Sequence, residues 1–237
     1  MKVLSIDTSN YALGVGIIEK DKVIGEYITN MKLNHSVRVM PAIDMLLKDC
    51  GLVPADIDKI VVAKGPGSYT GVRIGVTIAK TLAWSLNKPL TGVSSIEILA
   101  ASVGRYFDGY VSPIFDARRG QIYTGLYEYR EGNLQTVEAD KLIMAEQWAS
   151  ILSEQKRPIL FVGNDLPIHR DTFERALGEQ ANFAVSTEHN PRPAELALLG
   201  MDRKEEDVHT FVPNYIRLAE AEAKWLEANQ PSGKGTV

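Results

Sequence analysis

A repeat constrains this chain more than any other feature. Val3-Leu4-Ser5-Ile6-Asp7 is a compact β-rich run that ends on an aspartate, and Val111-Ser112-Pro113-Ile114-Phe115-Asp116 is another. After the first, Thr8, Ser9 and Asn10 are turn formers. Leu13, Val15 and Ile17 then alternate with Gly14 and Gly16, residues 19–22 are a polar turn, and 23–28 reads as a third strand. After the second, residues 117–120 turn, 122–129 alternate, Glu131-Gly132-Asn133 turns again and 134–137 reads as a third strand. Period-two alternation marks strands, and two hairpin connections in succession make an antiparallel meander. Any two α/β halves share much of this pattern. The aspartate closing the first strand of both is what argues for duplication.

Each meander continues into α/β units. Residues 36–50 predict a helix with Met40, Ile43 and Leu47 on one face, Gly51 as its stop, and a bend where Pro41 removes a backbone bond. Residues 60–63 read as a buried strand, 71–86 as a helix and 90–93 as a strand ending at Ser94. Ser94 and Glu97 have capping-box spacing and start the next helix. In the second half, helices are expected over 145–153, 169–177 and 193–200, with a strand at 159–162. A last helix is expected over about 219–229 and a disordered tail over 230–237. The division expected is 1–104 and 105–212, with 213–229 packing back on the first half.

Composition excludes several classes. The chain of 237 residues is 45% hydrophobic and 24% charged, ordinary for a globular protein with a real core. A net charge of -4 with scattered Lys and Arg argues against a stand-alone nucleic-acid binder. The single cysteine, Cys50, excludes an intrachain disulfide and a thiolate metal cage. The apolar stretch after Met1-Lys2 is too short for a signal sequence, and no apolar run approaches membrane-span length. A soluble cytoplasmic protein with no membrane role is expected.

A carboxylate at a strand end followed by a tight turn suits a phosphate cradle, in which turn amides hold oxygens and the Asp holds a magnesium ion. Asp7-Thr8-Ser9 and Asp116-Ala117-Arg118-Arg119 both have this form, and the alternative is that each Asp caps its own turn. Gly65-Pro66-Gly67-Ser68-Tyr69-Thr70-Gly71 is neither a Walker loop nor a dinucleotide fingerprint. Placed between a strand and a helix, it either aims amides at an anion or serves as a plain tight turn. The candidate cradle is therefore Asp7, Thr8, Ser9, Gly65, Gly67, Ser68 and Asp116. Gly71, Gly75, Ala79 and Ala83 share one helix face. Two glycines inside a helix cost about 2 kcal/mol against alanine, which implies close approach by another element, internal or foreign. His35, His169, His189 and His209 form no i, i+4 pair and are read as surface or capping residues.

Ile6-Asp7-Thr8-Ser9, the run GPGSYTGVRIG from Gly65 to Gly75, Pro89-Leu90-Thr91-Gly92-Val93-Ser94-Ser95, Asp116-Ala117-Arg118-Arg119 and Pro213-Asn214-Tyr215-Ile216-Arg217 together resemble the TsaB family, also called YeaZ. The resemblance spans most of the chain and is densest through Arg119. It implies an α/β fold of the actin-like ATPase class (ASKHA, ribonuclease H-like) with two duplicated sub-domains. It implies kinship with TsaD, which transfers the threonylcarbamoyl group to adenosine in tRNA, and a complex with TsaD and the ATPase TsaE. TsaD-like chains carry an H-x-x-x-H metal motif where this chain has Ser95 and Leu99, neither of them a competent ligand. Actin-like folds hold adenosine on a late glycine pair, and here Val162-Gly163-Asn164 offers one glycine.

The expectation is thus a non-catalytic scaffold or activator, with no catalytic residue, no metal and no cofactor bound alone, ATP entering at the level of the complex. Contact with tRNA runs mainly through the complex. The partner surface is expected on Met40, Ile43, Leu47, Gly71, Gly75, Ala79 and Ala83, serving a homodimer when the chain is isolated. The rival reading is an ATP-dependent phosphotransferase or hydrolase using Asp7 and Asp116. The missing ligands speak against a metallopeptidase.

Overall fold

The computed structural model describes residues 1–20 and 22–216. The helix and tail expected after 216, and Arg217, lie outside them. Eleven strands and six α-helices are described: β1 Lys2–Asp7, β2 Ala12–Glu19, β3 Lys22–Asn30, α1 Val39–Asp49, β4 Lys59–Ala63, α2 Tyr69–Leu86, β5 Leu90–Val93, α3 Ser95–Ala101, β6 Tyr110–Pro113, β7 Phe115–Asp116, β8 Gln121–Arg130, β9 Asn133–Met144, α4 Ala145–Ser153, β10 Ile159–Val162, α5 Leu166–Leu177, β11 Ala181–Phe183 and α6 Pro193–Met201.

The repeat is real. The first sheet runs β3-β2-β1-β4-β5, antiparallel across the meander and parallel from β1 through β4 to β5. The second has β9 on β8, β8 on β6 and β7, and β10 and β11 parallel beyond β6. With β6 and β7 together in the place of β1, the strand order is the same. The run expected as one strand, 111–116, breaks at Ile114, whose N–H donates to Val162 O at 2.8 Å. Gly163, at φ 135, stands so close that a Cβ there would strike the Ile114 carbonyl.

Local chemistry sets the helix ends. Ser68 caps α2, its Oγ accepting the Gly71 N–H at 3.2 Å, and Asn87 closes it in the left-handed region. Pro41 falls in the first turn of α1, where no intrahelical donor is needed; the span expected as one helix divides near its start, α1 beginning at Val39 after a separate 3-10 turn His35–Val37. Ser94 caps α3 through the N–H groups of Ile96 and Glu97. The Glu97 carboxylate does not close the box; it pairs with Arg203.

Each sheet has one face covered by its own helices and the other by the last helix of the opposite half. α1 and α2 cover the first sheet with Ile43, Leu46, Leu47, Val72, Val76 and Ala79. Its other face, Val3, Ile18, Val61, Ala63 and Val93, takes Ala194, Leu196 and Ala197 of α6. Reciprocally, Ile96, Leu99 and Ala100 of α3 meet Val111, Phe115, Tyr127 and Val162 of the second sheet. The return to the first half therefore begins at Pro193 and continues through Phe211, well before the expected 213. Gly16 permits it: a Cβ there would sit 2.8 Å from Pro193 Cβ.

Candidate functional site

Six of the seven expected cradle residues lie at the ends of β1 and β4, and the cradle is closed. Thr8 Oγ1 donates to Gly71 O at 2.7 Å, and the Ser9 N–H donates to Asp7 Oδ1 at 2.8 Å. The Ser68 N–H donates to Ser9 O at 2.7 Å, and a Cβ on Gly67 would collide with that same carbonyl. Gly65 turns elsewhere, exchanging 3.1 Å bonds with Ser95 through its N–H and carbonyl. Asp7, Thr8 and Ser9 are at most 2% exposed. A phosphate site needs free turn amides and hydroxyls. Here the Ser9 and Ser68 amides and the Thr8 hydroxyl are committed to the chain itself and the turn is buried, so the residues as arranged do not fit a nucleotide's phosphates.

Closure leaves polar atoms behind. Asp7 Oδ2, Ser9 Oγ, Asn10 Nδ2, His35 Nδ1 and Arg38 Nη1 are buried without a hydrogen-bond partner, and the buried orphans among the described residues are these five. His35 Nε2 bonds Asn10 O at 2.8 Å, and Arg38 bonds Thr29 Oγ1 through its other terminal nitrogen. Burial pushes the Asp7 carboxyl up, with the Ser9 N–H, the Ser9 hydroxyl beside it and the nearby His35 pulling it part of the way back. An orphaned buried polar group costs roughly 1–3 kcal/mol, so five amount to about 5 kcal/mol or more, against a typical net stability of about 5–15.

Asp116, the seventh residue, ends β7 in the second sheet. Its Oδ1 bonds His169 Nε2 at 2.9 Å, and its N–H donates to Asp165 Oδ2 at 3.0 Å. Burial raises the Asp165 carboxyl. Arg118 and Arg119, at φ 66 and 55, turn the chain back into β8. His35 and His169, expected as surface or capping residues, are 8% and 5% exposed. A histidine's burial depends on what the fold packs around it, so spacing alone gave no signal for Asn10, His35 and Arg38 or for the Asp116–His169 pair.

The expected partner face is corrected. Gly71, Gly75, Ala79 and Ala83 point inward: a Cβ on Gly71 would strike Thr8 O, one on Gly75 would strike Thr8 Oγ1, and Ala79 and Ala83 are 0% and 1% exposed. Ile43 and Leu47 are core as well, and of that trio Met40 alone is exposed. The close approach foretold by two glycines is to β1 and its turn. Among the described residues, the outer face of α2 is the open one. There Tyr69, Thr70, Arg73, Ile74, Thr77 and Ile78 line an open groove of about 450 Å³ together with Ser36. Arg73 Nη1 donates to Tyr69 Oη at 2.6 Å, and Tyr215 packs on the Tyr69 ring at 5.2 Å. Trp84 stands 67% exposed near the end of the helix.

Ser95 and Leu99 are both fully buried, Ser95 as the clamp on Gly65 and Leu99 in the apolar layer beneath α3. Among the described residues, no three His, Cys, Asp or Glu side chains gather where they could hold a metal ion.

Comparison with known proteins places this geometry. The family model described as TsaD, tRNA N6-adenosine threonylcarbamoyltransferase, matches residues 22–225. The tRNA threonylcarbamoyladenosine biosynthesis protein TsaB of Bacillus subtilis is 57% identical over 230 residues, 97% of this chain and 100% of the relative. TsaB of Escherichia coli is 30% identical over 145 residues, 61% of this chain and 62% of the relative. In structure, YeaZ from Pseudomonas aeruginosa superposes with TM-score 0.76 at 23% identity, over 90% of this chain and 99% of that one. The ROK hexokinase from Thermus thermophilus gives TM-score 0.50 at 10% identity over 85% and 98%, the likeness of a shared actin-like fold. The chain belongs to the TsaB family of tRNA threonylcarbamoyladenosine biosynthesis proteins.

Proposed function

We propose that this chain is a non-catalytic subunit that pairs with a TsaD-type paralogue, with a TsaE-type ATPase joining the pair, and so supports threonylcarbamoyl transfer to adenosine in tRNA. The observation that carries this reading is the closed cradle: a fold built to hold a nucleotide has its first phosphate turn sealed by its own glycine loop. What the chain does offer is the outer face of α2, where apolar Ile74 and Ile78 alternate with Arg73, Thr70 and Thr77 along an open groove. A paralogue would present an equivalent helix, and a two-fold contact between such faces would form a homodimer when the paralogue is absent. ATP then enters with the complex, and tRNA phosphates are met mainly by the partners, consistent with a net charge of -4.

The test is Thr77→Trp together with Ile78→Glu, both on the outer face. Loss of TsaD binding with an unchanged unfolding midpoint supports the reading, and unchanged binding places the contact elsewhere. Micromolar binding of ATP by the isolated chain in calorimetry would favour the rival phosphotransferase instead.

A further inference from the structure

We infer that the groove on the outer face of α2 is covered in the free subunit by the chain's own residues 217–229, which a partner must displace. The described residues end at the mouth of that groove. After α6 the backbone runs along one flank of α2 toward its N-terminus. Lys80 Nζ donates to His209 O at 3.2 Å and to Phe211 O at 2.7 Å. The Asn214 N–H donates at 2.6 Å to Lys64 O, just before the loop that leads into α2, and Tyr215 packs on the Tyr69 ring. Arg73 lies within electrostatic reach of the Tyr215 hydroxyl. Tyr69 and Arg73 both line the groove, so the last described residues already stand against its wall.

Length, apolar spacing and charge select this occupant. The groove follows α2 from Tyr69 to Ile78, about 14 Å of helix. Residues 217–229, expected as helix from the sequence, would make about 20 Å at the same rise, enough to turn back over Tyr69 and run the groove's length. Leu218, Ala221, Trp225 and Ala228 recur at helical spacing and share one face, a match for the apolar Ile74 and Ile78. Arg73 is the charged residue among those lining the groove, and it stands at the end where Glu220 and Glu222 would enter. A tethered segment needs little intrinsic affinity, because a short tether holds it near its seat at an effective concentration of about a millimolar. A paralogue that docks on the same face competes with it, and the apparent affinity falls by the fraction of grooves left open. That consequence rests on the pairing proposed above; the seat itself does not.

The experiment treats the full chain carrying Cys50→Ser, Thr77→Cys and Ala221→Cys with a short bismaleimide at low micromolar concentration and resolves the products by mass. A link within a single chain is expected. Asp171→Cys in place of Thr77→Cys, exposed on α5, should give none. In parallel, calorimetry measures paralogue binding to wild type and to Trp225→Glu, which puts a charge on the segment's apolar face. Trp225→Glu should bind the paralogue about threefold or more tightly. Absence of a link within the chain overturns the inference, and so does a link between two chains, which makes the occupant a second copy's segment. Weaker binding by Trp225→Glu also overturns it, because the segment would then belong to the paralogue's own contact. A link within the chain with paralogue binding unchanged in Trp225→Glu upholds the seat and moves the paralogue's contact off this groove. No paralogue binding by either chain counts against the pairing alone, and the link still decides the seat.

Discussion

Nε2 of His169 lies 2.9 Å from Oδ1 of Asp116, so a buried ring on α5 is tied to the strand end that closes the first strand of the second repeat. Asp116→Ala removes the ring's partner and leaves a buried nitrogen unpaired. The expected loss is about 1–3 kcal/mol, read as a lower urea midpoint at unchanged slope. Asp116→Asn keeps an acceptor oxygen at the same place and should lose less. A midpoint for Asp116→Ala equal to wild type would show that the pair does not hold α5.

Asp7 predicts a pH dependence with a definite sign. Its native carboxyl is raised above the ordinary aspartate value of 3.8, chiefly by burial. Between that value and the raised one, the native state keeps a proton the unfolded chain has lost. Stability therefore falls as pH rises through the window and stays lower above it. Asp7→Asn retains the Oδ1 acceptor for Ser9 and carries no charge. In chloride buffer it should melt higher than wild type at pH 7, and the advantage should vanish below about pH 3.8. A variant that melts lower at neutral pH would mean the ionised carboxylate is held by something stronger than its burial.

Gly75→Ala tests the inward face of α2. Alanine favours a helix by about 1 kcal/mol over glycine, but its Cβ would strike Thr8 Oγ1, whose hydroxyl is bonded to Gly71 O. Overpacking of a tight core costs about 1–3 kcal/mol, so a net destabilisation is expected, measured by denaturant titration. A stabilised variant would show that Thr8 yields freely and that the turn is loosely held.

The repeat was legible because its signals are local: an aspartate at a strand end, alternation, and turn residues at matching offsets. α4 and β10 fall on the residues expected for them. β9 extends to Met144 rather than stopping at 137: Glu138 and Ala139 are exposed and residues 140–144 are half-buried in a row, so no period-two alternation marks its second half. β11 is three half-buried residues, too short to announce itself. The small-residue face was legible as a close approach, but two glycines cannot say which surface approaches. Asn10, His35 and Arg38 were invisible because they meet only once the 31–38 segment has folded back over the turn.

The exchange of α3 and α6 between the halves has a consequence for synthesis. The ribosome releases the chain from the N-terminus, and the first sheet's second face is completed only when α6 emerges, about 100 residues after the first half ends. At roughly 5–20 residues per second that is a wait of about 5–20 seconds. Throughout it Val3, Ile18, Val61, Ala63 and Val93 lack the cover that Ala194, Leu196 and Ala197 supply. The second half has no such delay, because α3 is made before the sheet it covers. A fragment ending near 104 would be left permanently with that bare apolar face, so the nascent first half is the stage at which a chaperone has most to hold.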